Sequence, residues 1–197
     1  MKLLPYDETS KESILQYAKK LENKTFNDII NLFNERYKST FEVAEDDENY
    51  DIENFKNKYA KGSLGQLLEK YYFLYSPNSN SSADFNKAGI ELKMSPFKIT
   101  KKGNIVAKER LVLTIINYME DYKEDDFFKS HVYQKCMLML LIYYLYEPTK
   151  DKLDYIIKYV SLFSFPDEDL SIIKNDYKII IDKIKKRESR RIIWKWY

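Results

Sequence analysis

Histidine and cysteine are almost missing from this chain. In 197 residues there is one of each, His131 and Cys136. A lone histidine excludes a zinc site built on imidazoles, and one cysteine excludes an intramolecular disulfide framework. A single thiol fits a reducing compartment. Cys136 abuts the apolar run Met137 to Tyr146, which argues for a buried structural thiol rather than a nucleophile. Four glycines and five prolines are too few for a loop-rich all-β fold. That ten-residue run is also the longest apolar stretch, half of the ~20 residues a membrane-spanning helix needs. The start, Met1 to Asp7, lacks the apolar stretch of a signal peptide. These absences predict a cytoplasmic protein with no membrane partner.

Neither sign of charge dominates: 33 Lys and Arg stand against 31 Asp and Glu, a net charge of +2. The balance conceals local blocks. Glu42, Glu45, Asp46, Asp47, Glu48, Asp51 and Glu53 form an acidic stretch without a base. It reads as a solvated connector that keeps clear of DNA phosphates. Lys98, Lys101, Lys102, Lys108 and Arg110 surround a single acid, Glu109. Apolar residues make up 44% and aromatic residues 16%, so the chain is globular and long enough for one domain with a real core.

Periodicity supplies the elements. Ser10 to Leu21 predicts a helix with Ile14, Leu15 and Ala18 on one face, and Thr25 caps a second helix through Tyr37. Gly62 to Tyr75 predicts a third helix, with Leu64, Leu67, Leu68, Tyr71 and Tyr75 as its apolar stripe. Pro77 to Ser82 is Asn- and Ser-rich loop. Ala83 to Phe85 and Ile90 to Met94 predict strands, and Lys101 to Asn104 a turn between Ile99 and Ile105. Arg110 to Tyr118 and Cys136 to Tyr146 predict buried strands, the latter equally readable as a buried helix. Asp151 to Leu162 and Asp167 to Lys186 predict helices.

One segment specifies a chemistry. Ile90, Leu92 and Met94 alternate with Glu91 and Lys93, so the acid and the lysine share one face of a strand. Asp84 lies seven residues upstream across turn material that includes Gly89, and a short hairpin brings it beside Glu91. Two close carboxylates repel unless a cation sits between them. Mg²⁺ favours such oxygen donors, with water and phosphate completing its shell. Lys93 is placed to orient an attacking water or to neutralise a phosphorane-like transition state. Glu69, at the edge of its helical stripe, is expected to lean over the strand pair and to assist the metal or the water. Acid-x-Lys alone is weak, since Glu22-Asn23-Lys24, Asp121-Tyr122-Lys123 and Asp176-Tyr177-Lys178 repeat it as solvated pairs.

Gly65-Gln66-Leu67-Leu68-Glu69, Ala83-Asp84-Phe85 and Gly89-Ile90-Glu91-Leu92-Lys93 together resemble the MutH family, in order and with similar gaps. That family joins the mismatch-repair nicking endonuclease to the Sau-type restriction endonucleases that cut at GATC, within the PD-(D/E)XK nuclease superfamily. Lys108 to Leu113 followed by Ile116-Asn117-Tyr118 resembles the restriction branch more than the repair branch, and Asp176 to Ile180 resembles a later helix of it. Ser130-His131-Val132-Tyr133-Gln134-Lys135 is similar to the family's Ser-x4-Lys segment, whose lysine lies in the active site.

The resemblance implies an α/β fold, with a mixed central sheet flanked by helices and the site at one sheet edge. It implies Mg²⁺-dependent hydrolysis of double-stranded DNA. Asp84, Glu91 and Glu69 would serve the metal, and Lys93 and Lys135 the water and the phosphate. Two readings of Lys98, Lys101 and Lys102 stay open: a soluble hairpin tip, or phosphate contacts beside the cut. His131 is expected in a surface or capping role.

The resemblance runs from about residue 60 to Lys186. The organisation it suggests is N-terminal helices over 1–41, the acidic connector over 42–59, a catalytic unit over 60–186 and a basic aromatic tail over 187–197. In the tail, Trp194 and Trp196 among Arg190, Arg191 and Lys195 read as a nucleic-acid stacking surface or as an accidental composition. The family's base-reading segments have no counterpart there. The expectation is therefore a truncated or frameshifted enzyme, or one completed by another module or a second copy. The alternative function is a DNA-binding or assembly module that does not cut.

Overall fold

A computed structural model describes residues 4–36, 55, 62–75 and 82–186. The acidic connector, apart from Phe55, and the tail from Arg187 lie outside the described residues, as does most of the loop predicted from Pro77.

Helix α1, Lys11–Lys19, begins where Ser10 accepts a hydrogen bond from the Ser13 N–H. Capping of this kind satisfies one of the donors a helix start leaves open. Helix α2 follows as Phe26–Arg36, with Thr25 and Asp28 exchanging side-chain to main-chain bonds at its start. Helix α3, Ser63–Leu67, runs on into a π-helical turn, Leu68–Tyr72, in which the Phe73 N–H reaches back five residues to the Leu68 carbonyl. Single π turns occur mostly as insertions in α-helices, often at functional sites. Glu69 sits in this one.

Among the described residues the strands form one four-stranded sheet in the order β2-β1-β3-β4. Strand β1 is Glu91–Ile99, β2 Ile105–Ala107, β3 Met139–Leu145 and β4 Ile156–Phe163. β1 pairs antiparallel with β2 and parallel with β3, and β3 pairs antiparallel with β4. The sheet is therefore mixed, the fold α/β, as the resemblance implies. Helix α4, His131–Cys136, leads into β3, and the long α5, Asp167–Lys185, closes the described chain.

One core joins α1, α2, α3 and the sheet. Ile14, Leu21, Phe26, Ile29, Leu67, Leu68, Ile90, Leu140, Ile142 and Ile157 are all buried in it. Tyr17 and Tyr72 stack with ring centroids 4.5 Å apart, and each hydroxyl donates to the other's carbonyl, at 3.2 and 2.8 Å. That pair of hydrogen bonds fixes α1 to the segment carrying Glu69. A smaller cluster, Phe127, Tyr177, Ile181 and Ile184, packs α5 against the turn that precedes α4.

Three predicted elements differ. Arg110 to Tyr118 is not a buried strand: it has no regular structure, and Val112 and Ile115 are 68% and 78% exposed. Asp151 to Leu162 is not a helix but a short 3₁₀ turn, Lys152–Asp154, followed by β4. Its β-branched Ile156, Ile157 and Val160 suit a pleated surface better than a helix. Ala83 to Phe85 contributes only a single bridge, Phe85 to Ile90, rather than a strand.

Candidate active site

Ladder parity places the site. The Glu91 N–H donates to the Leu138 carbonyl, so Glu91 bonds toward β3. In a parallel pair the alternate residues then direct their main-chain groups to the opposite edge. Leu92, Met94 and Pro96 therefore face an edge that β2 covers only from Phe97 onward. Pro96 has no N–H to leave open there, which is where a proline is tolerated in a sheet. The Leu92 N–H is taken at 2.8 Å by Asp84 Oδ2.

A tight turn delivers Asp84. Phe85 and Ile90 exchange main-chain bonds of 2.9 and 3.2 Å, and Gly89 closes the turn at φ 66°, a region that favours glycine. Asp84 thus lies beside Glu91, as the hairpin reading expects.

Glu91 is the hub. It is only 4% exposed, yet its two oxygens are both used: Oε1 accepts from Lys93 Nζ and Oε2 from Lys135 Nζ, each at 3.0 Å. Lys93 comes from the same strand. Lys135 comes from α4, and the Ser-x4-Lys spacing has a physical reason. Ser130 caps α4 by accepting from the Tyr133 N–H and donates at 2.6 Å to the Phe127 carbonyl. Lys135 falls in the last turn and points back to Glu91. Ser130→Ala should therefore cost about 1 kcal/mol of stability, a fall of roughly 2–4 °C in Tm for a chain of this size, read by thermal melting.

Electrostatics tie the remaining acids to this point. Burial, then the Glu91 charge, pushes Asp84 up to about 6, against the opposing pull of the Leu92 N–H and Lys135. Burial, then Asp84 and Glu91, pushes Glu69 up to about 7, with Lys135 and Lys93 pulling the other way. Asp84, Glu91, Lys93 and Lys135 thus all act on Glu69, so the five residues expected to serve the metal, the water and the phosphate gather at one place.

Tyr75 is an addition. Its hydroxyl is buried with no hydrogen-bond partner among the described residues, beside Asp84 and Glu69, and burial raises its pKa. Its place at the end of an apolar stripe hid it, because a stripe tyrosine normally reads as core.

Among the described residues no three His, Cys, Asp or Glu side chains close into a ready-made metal cage. What is present is an adjacent carboxylate pair, Asp84 and Glu91, with Glu69 near and an orphan hydroxyl at the margin. That fits Mg²⁺, which takes one or two carboxylates and fills its shell with water and substrate phosphate.

The other residues fall elsewhere. Lys98, Lys101 and Lys102 are exposed at the far end of β1 and its turn. The strand rise puts Lys98 about 17 Å along β1 from Lys93, so it stands apart from the carboxylate pair. Cys136 is buried with its thiol pushed up to about 11 by burial, which suits a structural role. His131 opens α4 and bridges Asp121 Oδ1 and Thr114 Oγ1, each at 3.0 Å.

A mixed sheet presenting an acidic pair and two lysines at a strand edge defines the class as restriction-endonuclease-like α/β. The family described as DNA mismatch repair enzyme MutH matches residues 73–176, more than half of the chain. The chain belongs to the MutH family. The type II restriction enzyme Sau3AI of Staphylococcus aureus is 35% identical to it over 137 residues, which are 68% of this chain and 28% of that enzyme. The chain thus spans little more than a quarter of the length of this relative.

Proposed function

We propose that this protein is a restriction-type DNA endonuclease, hydrolysing phosphodiesters of double-stranded DNA with Mg²⁺ in the cytoplasm, and at GATC where the family's base-reading segments are supplied. The observation that carries the reading is Glu91 held by Lys93 and Lys135 beside Asp84. Family membership and the likeness to a type II restriction enzyme support the reaction class. The finer points, Mg²⁺ and GATC, rest on the resemblance.

In this reading Asp84 and Glu91 hold the cation. When bound, it polarises a phosphoryl oxygen and lowers the pKa of a water. Lys93 orients the attacking water from the strand side. Lys135, reaching over from α4, meets charge that grows on the phosphate. Glu69, with its raised pKa, takes a proton near neutrality or supports the water shell. Catalysis is by positioning and electrostatics, with no covalent enzyme intermediate. Lys98, Lys101 and Lys102 would add affinity along the duplex.

Asp84 rises from 3.8 to about 6 and Glu69 from 4.5 to about 7 on folding. Raised acids contribute stability that is fully present below the unfolded values and lost as pH climbs through the folded ones. The cation-free protein should therefore lose thermal stability between about pH 4 and pH 7 at this site, and millimolar Ca²⁺ should restore it above about pH 6. Melting curves across pH, with and without Ca²⁺, check this; a Ca²⁺ effect equal at pH 5 and pH 8 would contradict it.

Cleavage of a GATC duplex against a scrambled duplex, with Mg²⁺ at matched salt, tests the function. Cutting confined to GATC supports the full reading. Cutting of both keeps the nuclease and removes the specificity. Salt-dependent binding without cutting favours the module that binds or assembles on DNA.

A further inference from the structure

The edge of β1 that Asp84 caps at Leu92 continues into a cleft of about 560 Å³. Met94, Ser95 and Pro96 line one side of it, and ladder parity aims the Met94 N–H and C=O toward it. The chain leaving β2 forms a wall: the Lys108 N–H bonds the Pro96 carbonyl at 3.0 Å, and residues 108–112 then run along the opening. Lys152 and Tyr155, entering β4, line it from elsewhere in the fold. Lys93 lines the same cleft while its Nζ holds Glu91, so this one side chain links the cleft to the carboxylate pair.

Its chemistry is cationic and aromatic. Lys93, Lys108, Arg110 and Lys152 line it against one acid, Glu109. Lys108 Nζ lies 4.4 Å over the Tyr146 ring and 3.6 Å from Glu109, and Lys152 bonds Ser63 Oγ. Several cations spread along a groove, interleaved with tyrosines, match a phosphodiester chain better than a compact anion, since charge tracks the backbone and rings offer faces to bases.

We propose that this cleft seats the stretch of DNA strand next to the scissile phosphate, with Lys108, Arg110 and Lys152 as its phosphate contacts. The proposal rests on the nuclease reading for its direction, since the strand enters from Lys93. Lys108 is anchored at Pro96, three residues or about 10 Å along β1 from Lys93, a short step along a strand.

The test is K108Q/R110Q, at positions on the irregular wall, with circular dichroism to confirm the fold. Binding of a labelled duplex is measured with Ca²⁺ over a range of salt. The salt slope should become shallower by about two contacts' worth, with affinity at low salt down by more than tenfold, while Ca²⁺ calorimetry stays as in the wild type. K108R/R110K, which keeps the charges, should restore the slope. An unchanged slope in K108Q/R110Q, or no binding of DNA by the wild type, overturns the proposal. If the wild type binds through these residues but never cuts, the nuclease reading fails and the cleft stands. If the double variant binds and cuts like the wild type, the cleft fails and the nuclease stands. A mononucleotide that competes as well as a duplex would show a small-anion site and also overturn the proposal.

Discussion

Asp84→Asn is expected to abolish cleavage and, without a cation, to make the protein more stable. The two side chains are isosteric, and the amide oxygen still accepts the Leu92 N–H. What disappears is a charge that burial and Glu91 already disfavour, as its rise to about 6 shows. Removing it relieves a repulsion, and the new amide N–H can donate to Glu91. Tm should rise by a few degrees, since each kcal/mol shifts a chain of this size by roughly 2–4 °C. The same change removes half of the carboxylate pair, so cleavage should fall by at least about a thousandfold and Ca²⁺ binding should be lost. Plasmid cleavage, calorimetry and melting on one preparation check it. Retained cleavage, or a fall in Tm, would contradict the geometry.

The second large effect concerns the lysines. Lys93→Ala and Lys135→Ala should each lower cleavage by about 10²–10³, because each removes a preorganised positive group from the phosphate. Each single change leaves Glu91 one cation. The double variant leaves a buried carboxylate with neither, which should cost about 3–5 kcal/mol and exceed the sum of the singles. Denaturant titration of the three variants reads this. Additive losses would mean that the lysines do not share Glu91.

How much of this was legible depends on how local the signal was. Alternation from Ile90 to Met94 sets the faces of β1, and Gly89 marks the turn that brings Asp84 back, so both were readable from a few neighbouring residues. The long α5 was readable from its period and its charged ends. β4 was not. Leu153, Ile156, Ile157 and Val160 fall at i, i+3, i+4, i+7, a helical stripe. The strand reproduces that stripe because a bulge intervenes: Tyr143 and Tyr144 pair with Tyr159 and Ile157, leaving Lys158 over. Ile157 and Val160 are then both buried although three residues apart.

Arg110 to Tyr118 misled for the opposite reason. Its apolar residues include Val112 and Ile115, which stand in solvent, and no pattern rule separates an exposed apolar segment from a buried strand. Within the site, alternation placed Glu91 and Lys93 on one strand face, and the resemblance made that face a site. Glu69 and Lys135 are separated from them by elements whose packing only the fold supplies, and it was the resemblance that singled out Lys135. The π turn under Glu69, the orphan hydroxyl of Tyr75 and the cleft at Pro96 depend on sheet order and helix geometry, and no spacing in the chain announces them.

In the proposed reaction Glu91, with its two lysines and Asp84, cuts DNA with the help of a divalent cation. Its most direct measurement is conversion of supercoiled plasmid by the wild type and by Glu91→Gln, side by side, with Mg²⁺ and with EDTA. Nicked or linear product is expected from the wild type with Mg²⁺ alone, and none from Glu91→Gln. Folded, DNA-binding wild type that yields no product, or Glu91→Gln that cuts as well as the wild type, would contradict it.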